Sequence, residues 1–448
     1  MKSRARYSLI AAGIVAFIVL TPFLYMFVRG ETYDFQNHRF IKTGSLSVVT
    51  DPKKANIFIN GKEQGHSNKS IRFLAPGDYD VEIKKDGYFP WTKRLNVRDQ
   101  YVTSIAQNAQ QLTMFFSEPQ QQGTAADILN FSAGNKKIAY ATKNKVFVAE
   151  SSDLDSNFSL DLPRNFNNVG ILPSKDQNYF LIYTTGYYAV LDVGSKKLVD
   201  ITSVFNQQQA VLNADFQASD DFLMFADNDD LYQLQNGSVF KIDWRNQKKT
   251  SLLDNVLSFY AGEQGIYYIT VKNDLLGLGL ERTLSYLAYN SVLPTALISN
   301  LPPFRTATMY LTDRNQLFIA GDYALYSADA DSLNKIADYV QDVQLDGKND
   351  ALIYSTGNEI DIYDIASQST NFVTRSAEQI TYPHSVIDAG WVFYINDGKL
   401  QTIEIDNRDH QNNYAFTQVN DAAKFWIDDN ARNLILLNDG KLTQMKIR

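Results

Sequence analysis

Hydrophobic and polar positions divide the chain into one long uncharged run followed by many short alternating ones. Tyr7 to Val28 carries no charge and is built largely from Leu, Ile, Val, Ala and Phe. About 20 apolar residues at a 1.5 Å rise cross a hydrocarbon layer roughly 30 Å thick, so the run predicts a transmembrane helix over 7–28. Lys2, Arg4 and Arg6 precede it and Arg29 alone follows it closely. That bias predicts a cytoplasmic basic tail over 1–6 and places the rest of the chain outside the membrane. Phe23 to Gly30 offers no small-x-small cleavage site, so the helix is expected to persist as a signal anchor. Pro22 falls late in the run, where a kink is tolerated.

Residues 29–43 have neither helical nor alternating periodicity and read as a stalk. Alternation begins at Gly44. Ser45 to Thr50 reads as a strand ended by Asp51-Pro52, and Asn56 to Ile59 leads into Asn60-Gly61, a strong hairpin signal. Ile71 to Leu74 closes on Ala75-Pro76-Gly77, Tyr79 to Ile83 alternates again, and Lys85-Asp86-Gly87-Tyr88 turns the chain into Trp91 to Val97. These segments predict a compact all-β unit over 44–99 with Ile57, Ile59, Val81, Ile83, Tyr88 and Trp91 inside.

The order of these landmarks resembles the PEGA domain. Gly44-Ser45-Leu46-Ser47-Val48 opens the unit and Ile57-Phe58-Ile59-Asn60-Gly61 gives strand and hairpin. Leu74-Ala75-Pro76-Gly77-Asp78-Tyr79 and Lys85-Asp86-Gly87-Tyr88 supply the later turns. At the name-giving motif, Pro52-Lys53-Lys54-Ala55 keeps only the outer two letters. The resemblance implies a small β-sandwich, a location in the cell envelope of a bacterium or archaeon, and a module without catalytic residues.

After a Gln- and Asn-rich stretch, Gln107 to Gln122, a unit of paired strands around a polar turn recurs to the end of the chain. Ile138 to Val148 matches Leu352 to Tyr363 in pattern, and Tyr394-Ile395-Asn396-Asp397-Gly398-Lys399-Leu400 matches Leu437-Asn438-Asp439-Gly440-Lys441-Leu442. Related hairpins lie at Tyr183 to Leu191, Phe225 to Leu234, Tyr267 to Leu278 and Phe318 to Tyr326. A spacing of about 35 to 50 residues is the period of a four-stranded propeller blade. Units centred near Asn130, Gly170, Ala214, Phe259, Met309, Val343, Ile387 and Phe425 predict a seven- or eight-bladed β-propeller over 100–448. The last unit has too few residues for a fourth strand, so 101–116 is expected to close the ring. The fold class expected is an all-β ectodomain, a PEGA-like sandwich followed by a propeller, behind one N-terminal transmembrane helix.

Charge narrows the partners. The chain carries a net −8 with 42 basic and 50 acidic residues. The four basic residues of 1–29 have no acidic counterpart, so the remainder is more acidic still. Clustered cations for a nucleic-acid groove are missing. The unit over 44–99 has a slight basic excess, which favours anionic head groups near the membrane. The chain contains no cysteine, which excludes disulfide staples and thiolate metal sites.

No motif carries chemistry. The sequence lacks a Gly-x-Ser-x-Gly elbow, a His-Glu-x-x-His helix, a Walker loop and a Gly-x-Gly-x-x-Gly after a strand. His38, His66, His384 and His410 fall in separate units, so no histidine metal cluster is expected. Asp227, Asp229 and Asp230 form the densest acidic cluster and are the candidate oxygen ligands for Ca²⁺, although turn geometry alone accounts for them. Gly277-Leu278-Gly279 reads as a strand irregularity. Tyr187-Tyr188, Tyr267-Tyr268, Phe259-Tyr260, Trp244, Trp391 and Trp426 either stack on sugars or peptides or form blade core, as strand aromatics generally do. Catalytic residues and cofactors are therefore not expected. The expected function is a membrane-anchored extracytoplasmic binding protein that recognises an envelope protein or wall glycan through propeller loops. The alternatives are an envelope assembly factor and, behind it, a glycan-active or quinone-dependent propeller enzyme.

Overall fold

The computed structural model describes residues 3–34, 38–107, 109–206, 222–226, 229–273, 280–329, 331–346, 348 and 350–448. A helix covers Ser3–Arg29 with Pro22 inside it, and Thr21 Oγ1 donates to Phe17 O at 2.6 Å. Among the described residues no helix is long and apolar enough to cross a membrane. The span expected over 7–28 falls in part on side chains outside the described residues, at 7–9, 23 and 27. The stretch read as an unstructured stalk holds a short antiparallel pair, Glu31–Asp34 with Arg39–Lys42.

The small domain is a sandwich. Gly44–Val48 lies between Val102–Ser104 and Lys69–Leu74, and the facing sheet runs Lys62–His66, Asn56–Ile59, Gly77–Lys84, Trp91–Val97. Alternate residues point to opposite faces. Leu46, Val48, Ile57, Ile83, Trp91 and Leu95 are accordingly buried between the sheets. Asn60 and Gly61 take φ of 49° and 74°, the two left-handed positions of a type I′ hairpin.

Eight further four-stranded antiparallel sheets follow along the chain. We number these blades 1 to 8, and strands A to D from the innermost outward. Blades 1 to 7 span 130–161, 170–200, 222–253, 256–298, 307–338, 342–375 and 380–418. Blade 8 takes its three inner strands from 424–446. Each middle strand is buried on both faces, so its sequence is a continuous apolar run rather than an alternating one. Successive residues serve different seams. Phe180 packs between blades 1 and 2 while Leu181 packs between blades 2 and 3, and Ile353 and Leu352 divide in the same way between the seams on either side of blade 6. Burying one such side chain contributes about 1.5–3 kcal/mol. Eight apolar clusters of this kind join each blade to the next and blade 8 to blade 1. The seven-or-eight ambiguity thus resolves to eight. The unit expected near Ala214 lies outside the described residues, and the innermost strand of blade 3 is Phe222–Phe225.

Ring closure differs from the expectation. The outermost strand of blade 8 is Gln120–Ala125, which pairs antiparallel with Lys441–Lys446. Residues 101–116 instead complete the small domain: Val102–Ser104 pairs parallel with Gly44–Val48 and Leu112–Thr113 pairs parallel with Thr50–Asp51. Free sheet edges at those two strands captured a segment whose alternation fitted either place, and they moved the domain boundary beyond residue 99.

Candidate binding site at the channel mouth

The innermost strands line a central channel, and their ends on one face carry the A–B turns. Three of them supply the deepest polar groups: Asp342–Asp346 carries Gln344, Ile380–Val386 carries His384 and Ser385, and Lys424–Ile427 carries Trp426. The pairing register shifts between Thr381 and His384, a bulge of the kind that re-aims side chains.

Gln344 Nε2 lies 2.9 Å from His384 Nδ1. The same amide nitrogen lies 3.4 Å from His384 Nε2, and since it can only donate, the ring accepts from it. Burial pushes the His384 pKa down to about 4, which keeps the ring neutral. Gln344 Oε1 and Ser385 Oγ are buried and have no hydrogen-bond partner among the described residues. Around them stand charged turns. Asn135 Nδ2 donates to Asp429 Oδ2 at 2.6 Å, and Lys348 pairs with Asp388. Desolvation pushes the Asp429 carboxyl above its ordinary range and the charge of Asp346 adds to this, against the Asn135 hydrogen bond and Lys348.

These groups enclose a cavity of about 230 Å³. A second, of about 490 Å³, shares Asp388 and Asp429 as walls and is completed by Gln107, Gln110 and Gln111 of the small domain. The two domains thus share a trough.

A polar junction fixes that arrangement. Lys93 Nζ, wholly buried, lies 3.0 Å from Glu404 Oε2 and donates to Asp406 O at 2.6 Å. Glu404 also accepts from Trp91 Nε1 at 2.9 Å and Asn412 Nδ2 at 2.8 Å. Burial tends to raise the Asp406 pKa, but hydrogen bonds from Arg408 and the charge of Lys93 outweigh it and hold the carboxyl below its ordinary range. Aromatic contacts complete the junction. Phe89 stacks on Tyr414 at 4.6 Å, Phe115 meets Trp391 edge-on at 5.2 Å, and Trp391 Nε1 donates to Thr113 O.

Few of the sequence candidates meet here. Asp227 lies outside the described residues. Asp229 sits in a turn at φ 64°, its carboxyl raised chiefly by burial, and Asp230 pairs with Lys241. Among the described residues no group of three or more His, Asp or Glu is arranged to hold a metal. Gly277-Leu278-Gly279 is likewise outside the described residues. His38 lies near Tyr33, His66 ends a small-domain strand, and His410 approaches Thr92 at the junction, so only His384 reaches the channel. Trp244, Trp391, Phe259, Tyr187 and Tyr268 are buried core, whereas Trp426 lines the cavity. Gln344, Ser385, Asp388 and Asn135 went unrecognised. Their one sequence signal is a polar residue interrupting an innermost strand or its turn, and most turns look alike.

Residues 43–112 match the PEGA domain family. No curated protein matches the chain. Among solved structures, the crystal structure of a eukaryotic initiation factor is similar at a TM-score of 0.44 and 11% identity, covering 68% of this chain and 94% of that one. Selenomethionine-substituted virginiamycin B lyase from Staphylococcus aureus is similar at a TM-score of 0.41 and 12% identity, covering 73% and 98%.

Proposed function

We propose, taking the PEGA match at 43–112 and the eight-bladed ring behind it as premises, that this chain is a membrane-anchored, extracytoplasmic, non-catalytic binding protein of the cell envelope. The observation that carries the reading is the trough built jointly by the small domain and the channel mouth. It has polar groups to spare and, among the described residues, no serine hydrogen-bonded to a base. Ser385 Oγ is not hydrogen-bonded to His384, although a serine nucleophile needs a base within about 2.6–3.2 Å. The anchor rests on the uncharged run Tyr7 to Val28 with three basic residues before it. The ring's opposite face offers a surface for a protein partner through its B–C turns and D–A loops. There Tyr323 and Tyr339 are 72% and 78% exposed and are linked by Val340 N donating to Tyr323 O.

Two measurements test this reading. Alkaline extraction should leave the full-length chain in the membrane pellet, and its release would remove the anchor. In detergent, crosslinking the intact protein in envelope extracts should recover a defined ligand or partner. Turnover of an envelope glycan by the purified chain would replace the binding reading with the enzymatic one. Crosslinks spread over many abundant envelope proteins would favour an assembly factor.

A further inference from the structure

The trough's preference follows from the hydrogen-bonding capacity that remains once the protein's own contacts are counted. At its inner end Gln344 Oε1 accepts and Ser385 Oγ both donates and accepts, yet neither has a partner among the described residues. Ser385 is only 5% exposed, so its hydroxyl incurs the cost of desolvation without a compensating bond among the described residues. These deepest groups are uncharged and match a ligand that both donates and accepts. At the rim stand the carboxylates of Asp346, Asp388 and Asp429, which disfavour an anion, and Lys348 is already paired with Asp388. Trp426 adds an aromatic wall to the same cavity. The neighbouring cavity continues this chemistry with Gln107, Gln110, Gln111 and Asn430, and its one cation among the described residues, Arg448, is paired with Asp51 at 3.4 Å.

We propose that the trough binds a hydroxyl-rich oligosaccharide. One ring sits at the channel mouth against Gln344, Ser385 and Trp426, and the chain continues along the glutamine wall of the small domain. Sugar hydroxyls donate and accept at once, and their donors form charge-assisted bonds to the rim carboxylates. The inner cavity, about 230 Å³, falls below the roughly 300–1,000 Å³ of sites for drug-sized ligands and suits a single ring. Gln107, Gln110 and Gln111 follow the small domain's Val102–Ser104 strand, and Ala109 Cβ lies 3.7 Å from where a Cβ added to Gly390 would stand. A propeller without that domain would keep only half the site. This assignment rests on the binding-protein reading and names the ligand class.

The test titrates full-length protein in detergent with tri-N-acetylglucosamine, cellotriose, maltotriose and tri-lysine, by calorimetry and tryptophan fluorescence. At least one trisaccharide should bind. Ser385→Ala should weaken it about 3- to 10-fold, the effect of one neutral hydrogen bond. The same variant should not lower the melting temperature of the empty protein, because it removes a hydroxyl with no partner among the described residues. Gln110→Ala with Gln111→Ala should weaken the trisaccharide more than its component monosaccharide. Trisaccharide binding indifferent to both variants would move the site elsewhere, and a lowered melting temperature for Ser385→Ala would make that hydroxyl structural. Tri-lysine binding with all sugars silent would make the trough a cation site. If no probe binds, the oligosaccharide assignment fails, while a single crosslinked partner would still uphold the broader binding reading.

Discussion

Two interfaces of the molecule are built on opposite principles. Between blades 2 and 3 the contact is apolar: Leu181 and Val190 meet Leu231, Phe240 and Ile242. Where blade 7 meets the small domain, Trp91, Trp391 and Phe115 surround a buried cluster of Lys93, Glu404, Asp406 and Asn412. The apolar seam is non-directional and tolerates small sliding. The polar one is satisfied in a single arrangement, because each buried charge must keep its partner. Ring stability therefore resides mainly in the apolar seams, whereas the orientation of the small domain, and with it the shared trough, depends on the polar cluster.

The largest expected effect tests that division. Lys93→Met leaves Glu404 buried without its cation, while Asp406 keeps Arg408, and should destabilise the junction by about 3–5 kcal/mol. Limited proteolysis should then cut between the small domain and blade 8's closing strand. Leu181→Ala, in the apolar seam, should cost about 2–5 kcal/mol in thermal unfolding without releasing the small domain. Equal release by both variants would erase the distinction between the seams.

Acid should act next, at His384 of blade 7. In the folded chain His384 titrates at about 4, below its ordinary value of about 6.5 in an unfolded chain. Above pH ~6.5 both states are neutral and stability is full. As pH falls from about 6.5 to about 4 the unfolded chain alone takes the proton, and roughly 3 kcal/mol is lost. Asp361, raised to about 6 mainly by burial, works the other way and adds stability as pH falls through that value. His384→Gln should therefore remove the loss and leave the Asp361 gain, so denaturant midpoints should rise on acidification relative to the unaltered protein. Identical pH profiles would remove His384 from the account.

The smallest effect lies in the turns. Gly440 closes a blade 8 hairpin at φ 70°, where an alanine is strained, and Gly440→Ala should cost about 1 kcal/mol in denaturant unfolding. In blade 5 the corresponding place holds Tyr323 at φ 68°. Tyr323→Gly should lose none of that stability, and a large loss there would mean that its exposed ring is held by contacts within the ring.

Much of the architecture was legible locally. Asn60-Gly61 and Asp439-Gly440 specify hairpins through their own backbone preferences, and runs such as Tyr179–Thr184 specify middle strands buried on two sides. The closing strand was not legible, because Val102–Ser104 and Gln120–Ala125 are both short extended segments and only the available sheet edges choose between them. The candidate site was less legible still. Gln344 and His384 are 40 residues apart and become partners only when adjacent blades meet at the channel. The aspartates singled out at 227–230 stood out by density, while Asp388 is isolated in sequence, Asp429 only follows Asp428, and the two adjoin one cavity in space.

By itself, then, the sequence determined what short-range physics controls: an uncharged N-terminal run, a PEGA-like unit, strand periods and turns, and a blade-length repeat. Tertiary structure alone decided the number of blades, the strand that closes them, the burial of Lys93 beside Glu404, and the trough between domains. Each depends on contacts between residues tens to hundreds of positions apart, which no local pattern encodes.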